Sequence, residues 1–212
     1  MTTRGWPLFD LRVRTPRLTL RVARDEELLA LAERVAGTLL ASEQAAFMGA
    51  WAQLESPAFE REFMRRHWRW RADWSAEDWR LPLGVYERDE LLGGIDAWAS
   101  DFPVLRSALT GSWLVPEARG RGLGKEARAA MLHLCFAGLG ARVVRSVAHP
   151  DNAASVGVSR SLGYQEDGTS TQLGGPGEAV EVVRFKLTRE RWRPREDIEL
   201  SGLEACADLF GQ

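Results

Sequence analysis

The 212-residue chain is long enough to bury the core of one domain and to carry an appendage, because typical domains contain about 100 to 200 residues. Its apolar fraction of 45% and its charged fraction of 27% are globular values, and they argue against disorder. The formal net charge of −2 excludes a general attraction to nucleic acid, although local basic patches can still occur.

Cysteine usage and apolar runs narrow the class further. Cys135 and Cys206 are the only cysteines, and their spacing indicates neither a disulfide framework nor a zinc site. No apolar run approaches the ~18 residues of a membrane helix, and the amino terminus shows no signal-peptide pattern. We therefore expect a cytoplasmic, reduced protein that neither enters a membrane nor holds a metal.

Apolar periodicity predicts alternating strands and helices. In chain order the pattern predicts a strand at 17–22, a helix capped by Asp25 that ends at Val35, a helix at 56–74, and strands at 81–86, 91–99 and 109–115. A helix after the next turn, a strand at 142–148, a helix at 151–162 and a strand entered at Tyr164 follow, and a polar, glycine-rich stretch at 169–177 separates the last of these from a closing strand at 180–187. Residues 37–56 give no clear pattern. Because a helix intervenes, the strand at 142–148 should pair parallel to the one before it. Cys135 lies on the apolar stripe of that helix and is interpreted as core.

The segment Gly111–Ala127 combines a strand, a glycine-rich turn and a helix start. Its turn contains three glycines and three cations, Arg119, Gly120, Arg121, Gly122, Gly124 and Lys125. The glycines permit positive φ, and the first helical turn has N–H groups without intrahelical partners, so the turn favours an anion such as phosphate. A tight turn with solvated arginines is the alternative.

Two common phosphate loops do not fit this turn. A dinucleotide fingerprint needs a glycine where Lys125 stands, and a P-loop needs Ser or Thr where Glu126 stands. The turn instead satisfies the pattern Arg/Gln-x-x-Gly-x-Gly/Ala with Arg119, Gly122 and Gly124.

The chain resembles the GNAT acetyltransferase superfamily, and more specifically the RimJ/RimL-type N-terminal acetyltransferases. Three segments carry the resemblance, Thr15–Arg21, Gly111–Ala127 and Asn152–Tyr164. The resemblance implies an α/β (α+β) fold with a mixed, mostly antiparallel central sheet, a splayed parallel strand pair in its middle and helices on both faces. It covers a GNAT N-acetyltransferase domain at 11–187 and leaves 188–212 as a C-terminal extension that folds back, covers a neighbour in a homodimer or is a loose tail.

The resemblance also implies acetyl-CoA as the donor. Its pyrophosphate would rest on the turn, at Arg119, Gly120, Arg121, Gly122, Leu123, Gly124 and Lys125. Leu114 and Val115 would lie along the pantetheine in the slot between the splayed strands, and the Leu114 N–H would donate to the thioester carbonyl. Asn152 would contact the pantetheine arm, with Ser155 one turn further; a helix cap alone is the alternative for Asn152.

The catalytic acid departs from the superfamily pattern. Many members have a tyrosine where this chain has Ser159. The resemblance to RimL-like enzymes assigns the contact with the leaving thiolate to Ser155, whose hydroxyl is better suited to a hydrogen bond than to full proton delivery. Candidate bases are Asp96, Glu178 and Glu181, each also readable as an ordinary surface charge, and water is a further alternative.

The remaining histidines give weaker signals. His149, just past the strand at 142–148, has a side chain suited to proton transfer, but a structural or surface role is favoured because no partner is identifiable. His67 and His133 are predicted on polar helix faces.

The acceptor is the least determined part of the prediction. Arginines alternate with aromatic residues at Arg65, Arg66, His67, Trp68, Arg69, Trp70, Arg71 and Trp74. By resemblance this segment borders the acceptor cleft and would bind an acidic or aromatic acceptor, although tryptophans packing the helix while the arginines are solvated is the favoured interpretation. A nucleic-acid platform is disfavoured by the overall acidity.

The sequence thus predicts an acetyl-CoA-dependent N-acetyltransferase. It would move the acetyl group to a primary amine, at a peptide or protein N-terminus or in a small amine, by direct transfer in a ternary complex. A coenzyme A-binding module without activity and a basic-helix interaction protein on the same scaffold are the alternatives.

Overall fold

The computed structural model describes residues 5–37, 50–174 and 177–212, so most of the segment without a clear pattern lies outside the described residues. The strands are β1 Arg12–Arg14, β2 Leu18–Arg21, β3 Trp79–Glu87, β4 Glu90–Ala99, β5 Ser107–Leu114, β6 Val143–Ala148, β7 Gln165–Leu173, β8 Ala179–Thr188 and β9 Glu199–Ser201. The longer helices are α1 Asp25–Val35, α2 Ala58–Ala72, α3 Leu123–His133 and α4 Ala153–Ser161. Short helical turns lie at Pro7–Asp10, Ala50–Gln53, Phe102–Leu105, Pro116–Ala118, Leu134–Gly138 and Glu204–Phe210.

Within the described residues the strands form one sheet in the order β7-β8-β6-β5-β4-β3-β2-β1-β9. Strands β5 and β6 pair parallel, and the other neighbours pair antiparallel. This arrangement confirms the predicted mixed sheet with one parallel pair in its middle. The parallel connection runs through α3, as expected for a crossover between parallel strands.

Helices cover both faces of the sheet. Successive residues of a strand point to opposite faces, so Trp113 and Leu114 of β5 face opposite ways. Phe63 of α2 packs edge-on against Trp113, whereas Gly124 at the start of α3 lies against Leu114. Helix α2 therefore packs on one face, together with α1, and α3 packs on the other.

The core extends over both faces of the sheet, and most side chains of α3 are buried in it. Cys135 follows in a π-helical turn and is fully buried, as predicted. Burial raises the pKa of its thiol to about 12, so Cys135 is not a thiolate nucleophile at neutral pH. In the described part of the chain, no helix has the length and apolar character needed to cross a bilayer.

The residues after β8 pack on the amino-terminal edge of the sheet. Strand β9 pairs antiparallel with β1, with Arg12 opposite Ser201. Phe210 is fully buried and contacts Trp74 and Trp79. Gly202 has a φ of 78°, and a Cβ there would lie 2.4 Å from the carbonyl oxygen of Asp10, so the close approach of the two segments requires glycine.

Two element predictions need correction. The polar stretch that begins at Thr169 continues β7 as far as Leu173, because it pairs with the apolar strand β8 from Thr169 opposite Val183 to Leu173 opposite Ala179. Asp25 is the first residue of α1 rather than its cap. The carboxylate of Glu27 accepts the N–H of Arg24 instead, at 2.8 Å, and closes the helix end.

Candidate functional site

The parallel pair β5–β6 opens into a slot. The two strands are paired from Ser107 opposite Val143 to Leu109 opposite Arg145, and beyond that point they diverge. A cavity of about 630 Å³ occupies the divergence and extends from the glycine-rich turn to α2. The site is therefore one continuous space with two walls, which we name after the substrates that the resemblance implies. The donor wall is made by β5, the turn, α3 and α4, and the acceptor wall is made by α2, β3 and β4.

The backbone N–H and C=O groups of successive residues of β5 point alternately towards β4 and towards the slot, and this determines which of them a ligand in the slot can reach. Val115 donates its N–H to the Leu92 carbonyl at 2.8 Å, which uses the edge facing β4. In an antiparallel ladder the preceding residue faces the other way, so the N–H of Leu114 points into the slot. The Leu114 carbonyl accepts a hydrogen bond from Arg119 Nε at 3.0 Å. Of the N–H and C=O groups of Leu114, the N–H is therefore the one that points at the cavity.

Val115 does not meet the expectation drawn from the resemblance. Its side chain is buried in the core and lies outside the cavity lining. Its N–H is held by β4 and cannot also bind a ligand in the slot. Only Leu114 of the two predicted residues borders the space.

The turn has the backbone geometry that its glycines predicted. Gly120 and Gly122 have φ values of 73° and 79°, in the left-handed region that glycine adopts without strain. Gly122 is the residue before the first turn of α3, so the N–H groups of residues 123–125 have no intrahelical acceptor. The cavity is lined here by Arg119, Gly120, Gly122, Leu123, Gly124 and Lys125.

Arg121 points away from this cradle, contrary to the expectation. Its guanidinium forms two hydrogen bonds of 2.8 Å with the Glu87 carboxylate at the surface. Its carbonyl accepts from Arg17 at 3.1 Å. Arg17 also donates to Glu126 of α3 at 2.7 Å, so the segment at 15–21 supports the turn from behind.

Helix α4 supplies the third side of the donor wall. The side chain of Asn152 accepts the N–H of Ser155 at 2.9 Å and caps the helix. Asn152 and Ser155 both border the cavity, so the cap is also part of the wall. Ser159, at the position of the absent tyrosine, is fully buried outside the cavity lining.

The acceptor wall contains an ion pair that the sequence interpretation placed at the surface. Asp96 accepts from Arg80 Nε at 2.5 Å, and its side chain is only 15% exposed. Burial raises the pKa of Asp96 against the opposing charge of Arg80. Asp96 is thus a buried member of the cavity, whereas Glu178 and Glu181 are exposed and outside it.

Aromatic rings enclose the cations of this wall. The Arg80 guanidinium lies between Trp70 at 4.3 Å and Trp98 at 4.5 Å. Arg66 lies 5.0 Å from Trp51 and 5.2 Å from Trp70. The favoured interpretation of solvated arginines is therefore wrong for Arg66, while Trp68 is 49% exposed and Trp74 packs against the core.

His67 also faces the cavity, and the prediction of a polar helix face was wrong. Its ring lies between Phe63 at 4.8 Å and Trp70 at 5.0 Å. Burial, followed by the charges of Arg71 and Arg80, lowers the pKa of His67 to about 3, so the ring is neutral at neutral pH. His133 packs near Trp192, and neither it nor His149 borders the cavity.

Sequence reasoning missed Arg80, Trp98 and His67 as cavity residues. The predicted hairpin gave no signal for the first two, because a β-bulge between β3 and β4 shifts the register by one residue from the one that the turn sets. The shifted register places Arg80 opposite Trp98 and Pro82 opposite Asp96, and residues two apart on a strand share a face. His67 had no signal either, since its direction depends on how α2 packs.

Comparison with known proteins identifies the family. The family profile described as "Acetyltransferase (GNAT) domain" matches residues 17–165. Solved structures with the same fold include Mycobacterium smegmatis RimJ in complex with CoA-disulfide, at 19% identity and a TM-score of 0.68, over 95% of this chain and 94% of that one. RimL, the ribosomal L7/L12 alpha-N-protein acetyltransferase in complex with coenzyme A, has 18% identity and a TM-score of 0.61, over 82% and 95%.

A third structure extends the range of relatives. It is the spermidine N-acetyltransferase SpeG chimera from Vibrio cholerae and hSSAT, at 18% identity and a TM-score of 0.63, over 84% of this chain and 99% of that one. At these identities the structures establish the shared fold, and the family profile covers more than half of the chain. The chain belongs to the GNAT acetyltransferase family.

Proposed function

We propose that this protein is an acetyl-CoA-dependent N-acetyltransferase that moves an acetyl group directly to a primary amine in a ternary complex. The observation that carries the proposal is the single cavity of about 630 Å³ that joins the glycine-rich turn and the β5–β6 slot to the acceptor wall. Direct transfer needs the two substrates side by side, and holding them in one space removes much of the entropic barrier.

The donor wall fits coenzyme A. The left-handed glycines leave the amides of residues 123–125 exposed to an anion, and Lys125 adds a positive charge at the same place. The slot offers the Leu114 N–H to the pantetheine arm, with Asn152 on the opposite side. When bound, acetyl-CoA supplies the activated acetyl group as a thioester.

Leu114 and Ser155 are the proposed catalytic residues. The Leu114 N–H would donate to the thioester carbonyl oxygen as negative charge develops on it, and loss of one such donor costs roughly 100-fold or more in rate. The hydroxyl of Ser155 would donate a hydrogen bond to the departing sulfur. Among the three proposed bases, Asp96 is the one that borders the cavity, and its pairing with Arg80 leaves water as the alternative proton acceptor.

The acceptor wall supports an acceptor whose amine is uncharged when it reacts. Arg66 and Arg80 both face the cavity, and nearby cations lower the pKa of an amine. Asp96 neutralises Arg80, whereas in the described part of the chain no carboxylate forms an ion pair with Arg66. An acceptor with an anionic group close to its amine is therefore favoured. Peptide N-termini and small amines both remain within the proposal.

The proposal is tested in two steps with the full chain. Acetyl-CoA should raise the melting temperature, since a ligand that binds the folded state stabilises it. A thiol-release assay over N-terminal peptides and small amines should then reveal an acceptor, with peptides carrying an acidic second residue among the best. Ser155→Ala should lower kcat at saturating substrates.

Each step has an outcome that contradicts the proposal. No stabilisation by acetyl-CoA would exclude the donor site and favour an interaction protein on this scaffold. Stabilisation without thiol release over the whole panel would favour the inactive coenzyme A-binding module. Unchanged kcat in Ser155→Ala would remove the role given to that hydroxyl.

A further inference from the structure

Arg128 of α3 is a buried cation in the wall of the cavity. Its residue exposure is 4%, and it borders the same space as Leu114 and Ser155. Its guanidinium donates to Ser112 Oγ at 3.0 Å and to Ser146 Oγ at 3.1 Å. Among the residues that the structure describes, no carboxylate forms an ion pair with Arg128, and its Nε has no hydrogen-bond partner.

This arrangement is costly in the free protein. Arginine is rarely fully buried unless it is paired, and neutral hydroxyls compensate the loss of hydration only in part. The neighbouring positions Ala127, Ala130 and Met131 are buried and apolar, so an apolar side chain at 128 would suit the packing of α3. A buried guanidinium with an unused donor beside a cavity points to an anionic group that arrives with a ligand.

The location of Arg128 specifies which part of the ligand that group belongs to. Its two serine partners lie on β5 and β6 just past the last paired residues, Leu109 and Arg145. Arg128 therefore bridges the two strands where the slot begins to open. The glycine-rich turn lies at the far end of β5, so a ligand anchored there by its phosphates reaches Arg128 with its other end.

We propose, on the basis of the proposed function, that Arg128 stabilises the negative charge that develops on the coenzyme A sulfur during transfer. The amine nitrogen forms a bond to the acetyl carbon, the carbon–sulfur bond breaks, and its electron pair stays on sulfur as a thiolate. The proton lost by the amine passes to Asp96 or water. Arg128 supplies the positive charge for the thiolate, and the hydroxyl of Ser155 contributes only a neutral hydrogen bond.

The test compares free coenzyme A with desulfo-coenzyme A, which lacks the sulfur, and needs no acceptor. Affinities are measured by calorimetry at pH 6.5 and pH 9. In the wild-type protein, coenzyme A should gain about tenfold over desulfo-coenzyme A between these pH values, because the bound thiol ionises beside Arg128. Tyr164 also interacts with Arg128, but burial raises the pKa of its hydroxyl above the ordinary value, so it stays protonated at both pH values. Arg128→Met should abolish the gain, and Arg128→Lys, which keeps the charge, should retain part of it.

Controls separate this role from a structural one. Arg12 is a partly buried arginine on β1, outside the cavity lining, and its guanidinium donates to the carbonyls of Phe9 and Leu11. Arg12→Met should leave the coenzyme A preference unchanged. If Arg128→Met does not fold, Arg128→Lys and Arg128→Gln give the same comparison of a kept and a lost charge. Once an acceptor is found, Arg128→Met should lower kcat about 100-fold with little change in the KM for acetyl-CoA.

The outcomes also distinguish this inference from the proposed function. If neither coenzyme A nor desulfo-coenzyme A binds the wild-type protein, the proposed donor site is contradicted, and the proposed role of Arg128 is contradicted with it. If both bind, and the preference changes with pH equally in wild-type protein and Arg128→Met, the donor site stands and the role of Arg128 is overturned.

Discussion

The two walls of the cavity are built by different means. The donor wall consists largely of backbone groups from one stretch of chain, Leu114 to Lys125, with the cap of α4 opposite. The acceptor wall consists of side chains from three separate elements, α2, β3 and β4. The first depends on local conformation, which glycines at fixed positions determine. The second depends on how those elements pack.

The walls also differ in electrostatics. The donor wall attracts anions through exposed amides and Lys125. The acceptor wall brings Arg66, Arg80, Asp96 and His67 together in a half-buried space, and burial shifts the pKa of His67 downwards and that of Asp96 upwards. Substitutions in the acceptor wall should therefore affect folding stability and its pH dependence, and substitutions in the donor wall should affect ligand binding.

The largest expected effect is on the ion pair of the acceptor wall. Asp96→Ala should lower the free energy of unfolding by about 2–3 kcal/mol, because it leaves a half-buried guanidinium without its carboxylate. Arg80 would then face Arg66 with only aromatic rings around it. Urea unfolding measures the loss, and the stabilisation of the protein by acetyl-CoA should persist.

Two further variants make this comparison specific. Asp96→Asn keeps the shape and one acceptor, so it should lose less than Asp96→Ala. The double variant Arg80→Ala, Asp96→Ala should lose less than the sum of the single losses, because the two residues interact directly. Additive losses would show that the pair contributes nothing as a pair.

The difference between the walls explains what the sequence could predict. The parallel pair, the glycine-rich turn and the Asn152 cap follow from local signals, namely a helix between two strands, glycines at positions 120 and 122, and a capping residue before α4. The directions of Arg121 and Val115 escaped prediction because they depend on Glu87 and Leu92, which are distant in sequence. A turn can be recognised from its own residues, but its partners cannot.

The acceptor wall was predicted less well for the same reason. Asp96 was interpreted as a surface charge, since nothing near it in sequence indicates its burial against Arg80. The pairing of Arg80 with Trp98 depends on a bulge between β3 and β4, and the contact of Arg80 with Trp70 requires the position of α2. The short strand β9 likewise forms only because β1 offers it an edge.

The next effect concerns the donor wall and should appear in binding. Gly122→Val introduces a β-branched residue at a φ of 79°, a conformation that costs such residues about 1–3 kcal/mol. Relief of this strain would rotate the amides that face the phosphates. We expect a loss of about 2 kcal/mol in acetyl-CoA binding, or roughly 30-fold in affinity, measured by calorimetry.

A matched control lies in the loop that follows the carboxyl end of α3. Gly140 has a φ of 69°, a Cβ there would meet nothing within 4 Å, and the residue lies in the turn before β6, outside the cavity lining. Gly140→Val should therefore destabilise the protein to a similar extent without changing acetyl-CoA affinity. Equal losses of affinity in both variants would mean that strain acts through global stability and that the turn has no special role.

The smallest effect concerns protonation of the acceptor wall. Unfolded His67 takes up a proton near pH 6.5, whereas in the folded protein its pKa is about 3. The unfolded state therefore binds more protons between these pH values, and stability falls as the pH is lowered. Between pH 7 and pH 5.5 this should cost the wild-type protein about 1 kcal/mol.

His67→Gln removes this proton uptake and keeps a polar side chain between Phe63 and Trp70. Urea unfolding at pH 7 and pH 5.5 should show a smaller loss in the variant than in the wild-type protein. The carboxylates, including Asp96 with its raised pKa, are present in both proteins, so they contribute little to the difference between the two losses. Identical losses in the two proteins would mean that His67 takes up a proton in the folded state as readily as in the unfolded state. The acceptor wall would then be more accessible to water than its ring contacts indicate.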